Sequence, residues 1–122
     1  MANKHGRLKI VNSNNVLLEH VNWCDSFGGK LLGLMFRKSL GESEGLLMVE
    51  PRASKINTSI HMLFMNFAIA TIWLDGDLQV VDKVMAKPWR LAYVPAKPAM
   101  YTLETLPEIL DKVEIGDKLA FE

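Results

Sequence analysis

The sequence predicts an α+β domain, mostly β, in which an antiparallel, barrel-like sheet is covered by one main helix. Three observations lead there. Short β-prone runs alternate with turn signals along most of the chain. One stretch near the start carries apolar residues at helical spacing. The length of 122 residues and a hydrophobic content of 49% suit a single globular unit, residues 1–122, with a self-sufficient core.

The elements follow in order. "RLKIVN" and "NVLLEHVNW" flank "NSNN", whose residues tolerate turns, so the chain opens with a hairpin. Phe27, Leu31, Leu34 and Met35 then fall at i, i+4, i+7 and i+8, which predicts the helix over 26–38. Asp25 or Ser26 can cap its start. Arg37 and Lys38 suit the negative end of its dipole, and Gly41 can close it. Gly28, Gly29 and Gly33 oppose it by about 1 kcal/mol each. They read as close approach of helix to sheet, because "FGGKLLG" matches neither the dinucleotide nor the P-loop pattern.

"GLLMVEP" reads as a buried strand stopped by Pro51, and "RASKINTS" as a polar loop. In "IHMLFM" His61, Leu63 and Met65 alternate with Met62 and Phe64, which predicts a central strand covered on both faces. "FAIATIWL" is the next β-prone run, with Trp73 expected to be covered, and "DGD" is a hairpin turn leading into "LQVVDKVM". "AKPWRLAYVPAKPA" holds three of the five prolines and reads as an extended, ordered loop. "MYTLET" is a strand, "LPEIL" a helical turn with Pro107 near its first position, and "KLAFE" a last strand.

Bulk composition narrows the function. Fourteen basic residues balance fourteen acidic ones, so no surplus of cations marks a nucleic-acid binder. Cys24 is the single cysteine, so no intramolecular disulfide is possible. The opening "MANKHGRLKIV" has no apolar signal core, and together these predict a cytoplasmic protein. The apolar run at 67–74 is fenced by Asn66 and Asp75, far short of the roughly 20 residues that cross a bilayer, so no membrane partner is expected.

Three groups of residues could carry chemistry. His61 with Met65, and with Cys24 or His20 as a further ligand, offers the donors a Cu(I)-type ion takes. On a strand, however, Met62 and Met65 point to opposite faces, and Met is a common core filler, so the group reads as packing, with no metal or cofactor. Cys24 with a histidine could make a nucleophilic pair, but a lone cysteine reads as a small buried hydrophobe. The third group is a charge asymmetry. Lys83, Lys87, Arg90 and Lys97 occupy 83–103 without an acid, while Glu104, Glu108, Asp111, Glu114, Asp117 and Glu122 outnumber Lys112 and Lys118 beyond it. The two segments can lie together and neutralise each other. Alternatively "KPWR" can form a patch in which Lys87, Trp89 and Arg90 hold a small anion or a protein partner.

"GLMFRKSL", "GLLMVEP", "SIHMLFMNFAIATIWLD", "PWR", "LE" and a late "GD" occur in an order that resembles the uncharacterised prokaryotic family called domain of unknown function 192, bacterial or archaeal. The resemblance runs from about Trp23 to Phe121. It implies a compact, mostly β domain with one prominent helix near the start, and no established activity. Ala70 stands where the family carries an acid in its central strand, so no catalytic carboxylate is carried over to that position. "ETLPEIL" replaces the family's turn after Glu104.

The leading reading is a non-enzymatic binding or accessory module that presents Lys87, Trp89 and Arg90 to a protein partner or small anion. The alternatives are an enzyme with a site around His61, and a soft-metal protein using His61, Met65 and Cys24. Ligand identity and oligomeric state are not written in the sequence.

Overall fold

The computed structural model describes residues 4–13, 15–25, 34–35 and 37–122. Seven strands run in the order β1 (Lys4–Ile10), β2 (Asn15–Cys24), β3 (Glu44–Ser54), β4 (Ile69–Leu74), β5 (Val80–Ala86), β6 (Ala99–Thr105) and β7 (Leu119–Phe121). A 3-10 helix, Pro107–Lys112, lies between β6 and β7, with its proline in the first turn as expected. The strands form one sheet of order β5-β4-β6-β3-β2-β1-β7. The β1–β2 hairpin and the β4–β5 hairpin close at the two turn signals. At the second, the Asp75 carboxylate accepts from the Asp77 and Gln79 N–H groups at 2.9 and 3.0 Å.

The sheet curls into an open half-barrel. Leu8, Leu18, Val21, Leu47, Ile72, Val80, Leu103 and Leu119 come from all seven strands yet share one buried cluster, which only a concave face allows. Ile109 of the 3-10 helix and Val113 just after it complete that cluster. The end strands approach at an isolated Gln79–Lys118 bridge. The outer face is not wet. Ile69, Trp73 and Met48 are covered there by Leu34, Leu40, Ile60, Met62 and Met65 from the connecting segments. All six residues of β4 are therefore buried.

The structure corrects several expectations. The sheet is mixed rather than antiparallel, because β2 and β3 pair in parallel, with Val21 opposite Gly45 and Cys24 opposite Met48. A parallel pair needs a crossover, and residues 25–43 supply it. The helix expected over 26–38 falls in this crossover. Residues 26–33 and 36 lie outside the described residues, and Leu34, Met35, Arg37 and Lys38 form no helix. The helix found among the described residues is the short 3-10 piece, and the barrel is open at its edges.

"IHMLFM" is not a strand either. Ile60 makes one bridge, to Tyr93, and the chain then turns, with the Met65 N–H donating to the Met62 carbonyl at 3.3 Å. A turn brings residues three apart to the same side, so Met62 and Met65 are buried together while His61 and Phe64 are exposed. Pro51 does not end β3, which continues to Ser54 across a register shift where the missing N–H is tolerated. Trp73 is buried as expected, its indole N–H donating to the Thr58 carbonyl at 2.7 Å. No helix among the described residues is long and apolar enough to cross a membrane.

Candidate functional site

The residues of "KPWR" and His61 lie on two segments that are stitched together through their backbones. The Ile60 and Tyr93 N–H groups donate to each other's carbonyls at 3.0 and 2.8 Å. Met62 donates to the Arg90 carbonyl at 2.8 Å, and Trp89 donates to the Met62 carbonyl at 2.7 Å. His61 therefore sits between two tied residues, beside Trp89 and Arg90. The Tyr93 hydroxyl accepts from the Lys87 N–H at 2.9 Å and closes the second segment on itself.

This scaffold presents an apolar surface. Trp89 is 59% exposed, and its ring meets that of Phe64 edge-on at 5.3 Å. Leu91 and Val94 are more than half exposed nearby in the chain. Both aromatics have left-handed backbones, with φ of 63° at Phe64 and 68° at Trp89. A bulky side chain strains there, and such strain concentrates at functional positions. The Arg90 guanidinium lies 5.9 Å over the Tyr93 ring. Among the described residues neither Lys87 nor Arg90 makes an ion pair, and Lys83–Glu114, at 4.0 Å, is the one contact by which the basic and acidic segments neutralise each other.

His61 is exposed, and its Nδ1 accepts from the Leu63 N–H at 3.3 Å, which fixes the turn. Met65 is buried under that turn, and Cys24 is buried at the end of β2, three strands from β4 in the sheet order. No cluster of three or more His, Cys, Asp or Glu residues suited to a metal occurs among the described residues.

A second site was missed in the sequence. Glu104 on β6 is 6% exposed, and burial pushes its carboxyl up to about 7. It has no hydrogen bond or ion pair among the described residues. Directly opposite on β4 is Thr71, 0% exposed, whose Oγ1 has no partner among them. Both stand on the outer face with Thr102 and Trp73, a second cross-strand pair. "MYTLET" reads as a strand and no more; the burial of Thr102 and Glu104 comes from segments distant in the chain, and no local signal carries it.

Elsewhere the ion pairs are structural. Arg37 grips Glu44 through two nitrogens at 2.8 and 3.2 Å. This holds the Glu44 carboxyl below its ordinary range and raises Arg37.

The family model for domain of unknown function 192, described as "Uncharacterized ACR", matches residues 9–121. A UPF0127 protein of Pyrococcus furiosus is 40% identical over 114 residues, covering 92% of this chain and 94% of that protein. A crystal structure of a protein of unknown function from Novosphingobium aromaticivorans superposes with a TM-score of 0.78 at 20% identity, covering 97% of this chain and 84% of that one. The crystal structure of a protein from Sinorhizobium meliloti, proposed there as a transcription regulator, gives the same score and identity over 98% of this chain and 94% of that one. At that identity the two structures show the shared fold. The match across residues 9–121 and the close archaeal relative place this chain in the domain of unknown function 192 family.

Proposed function

We propose that the chain is a non-enzymatic binding module that docks an acidic, apolar segment of a protein partner on the stitched segments around Trp89. One observation carries this reading: two exposed aromatic rings in contact, each at a left-handed backbone, held out by hydrogen bonds between segments far apart in sequence. Strained, exposed aromatic side chains contribute nothing to the core, while aromatics and arginine dominate interface hot spots. The partner's charge follows from Lys87 and Arg90, two exposed cations without an ion pair among the described residues. A carboxylate can meet the Arg90 fork in two hydrogen bonds while an apolar side chain lies on Trp89.

A titration tests this. The probe is a blocked peptide of alternating glutamate and leucine, followed by amide chemical shifts and tryptophan fluorescence. Saturable shifts confined to residues 60–66 and 87–94, weakened by salt and absent with a lysine–leucine peptide, are the expected result. Inorganic phosphate alone moving the same amides as strongly would assign the patch to a small anion instead. Shifts unaltered by Trp89→Ala and Arg90→Ala would overturn the docking surface.

A further inference from the structure

We propose that Glu104, Thr71 and Thr102 form a recognition site for a primary ammonium group carrying an alkyl chain. The inference is independent of the docking surface, because it concerns the outer sheet face rather than the exposed segments. The register places four side chains in a block. Thr71 faces Glu104 and Trp73 faces Thr102, with Thr71 and Trp73 two apart on β4 and Thr102 and Glu104 two apart on β6. Cross-strand neighbours of this kind have Cβ atoms roughly 5 Å apart. All four residues are buried.

The block is unfinished as it stands. A buried hydroxyl and a buried carboxyl without partners each carry a desolvation cost that native structures seldom leave uncompensated. Among the described residues the Thr71 Oγ1 is sealed without a partner, and the Glu104 side chain, in a residue 6% exposed, makes no hydrogen bond or ion pair. Across the sheet the row reads Val84, Thr71, Glu104, Leu46, Asn22 and His5, so its one other ionisable group, His5, stands three strands from Glu104. The nearest titratable groups on this face are in the adjoining rows, at Asp82 beyond Trp73 and at Glu44 on β3 with His20 opposite it, and Glu44 is already held by Arg37. A cation is therefore the missing partner for the carboxylate.

The remaining corners select its type. A primary ammonium has three N–H donors, and the block supplies three oxygen-bearing side chains to accept them. The Trp73 N–H is already committed to Thr58, which leaves its ring as an apolar wall and a cation–π surface. Met48, Met62 and Met65 line the same cluster and suit an alkyl chain better than a hydrated metal ion. Binding takes the ionised carboxylate, so a proton leaves Glu104 when the site fills below its titration midpoint.

The test uses the full chain with carbon-13 in its glutamate carboxyls and n-butylammonium chloride as the probe, with n-butanol as the uncharged control. A saturable shift of the Glu104 signal with butylammonium and not with butanol is expected, together with a fall of its titration midpoint by about one pH unit or more. Thr71→Val should weaken the binding about tenfold, the loss expected for a hydrogen bond to a charged group. Glu104→Gln should abolish it while keeping a dispersed, folded spectrum. No saturable shift at tens of millimolar butylammonium, equal shifts with butanol, or full binding by Thr71→Val would overturn the assignment. The Thr71 variant and the midpoint decide even if the Glu104→Gln chain folds poorly.

Discussion

Burial holds the Glu104 carboxyl at about 7 against 4.5 for an ordinary glutamate. Between those values the folded chain binds a proton that the unfolded chain has released. Stability therefore falls as pH rises from about 4.5 to about 7 and then levels off, by a total on the order of 3 kcal/mol. Glu104→Gln should flatten that limb and exceed the parent in stability at pH 8, as urea denaturation at several pH values would show; a parent curve without the fall would refute it. At Trp89 the balance differs. Trp89→Gly relieves a left-handed backbone worth about 1–3 kcal/mol while losing a ring contact of about 1 kcal/mol. The melting temperature should hold or rise as peptide binding disappears. A drop of several degrees would make the indole a packing residue. Neither position could be weighed from sequence. Trp89 was visible as an aromatic beside an arginine, but its backbone strain was not, and Glu104 was visible as one more acid of the segment that balances the basic one.

Elements with local signals were legible. The Asn-rich and Asp-Gly turns fix the two hairpins, and Ile69–Leu74 is apolar enough to declare itself central. The segment around His61 deceived because alternation at 61–65 mimics a strand, whereas the backbone turns at Met62 and Phe64 and buries the two methionines together. The parallel β2–β3 pairing was illegible for a different reason: pairing partners are chosen across a crossover, where no turn residue announces them. At the edge, β7 lies against β1 so closely that a Cβ on Gly6 would collide with the Glu122 carbonyl oxygen and come within 2.8 Å of the Phe121 ring. Gly6→Ala should therefore push β7 away. A loss of about 1–3 kcal/mol, with faster hydrogen exchange at Leu119 and Phe121, is the expected outcome. Unchanged exchange would show that the edge adapts.

Across the whole molecule, the fold class was legible as mostly β, while the openness of the barrel and the minor share of helix were not. These depend on how seven strands share one concave cluster. The 3-10 helix is fastened to that cluster by Lys83, whose Nζ donates to the Leu110 and Val113 carbonyls at 2.6 and 2.7 Å. Lys83→Met keeps the stem and removes both bonds. It should cost about 2 kcal/mol in chemical denaturation and speed exchange at Ile109; a neutral result would show that Ile109 and Val113 hold the helix unaided. The pairing of Leu8 with Phe121 has a consequence for engineering. The first and last strands run side by side, so a brief flexible tether can join them into a ring. New ends could then be opened at the exposed tip, Gly76 and Asp77, giving a permuted chain with the same core and a free attachment point at that turn.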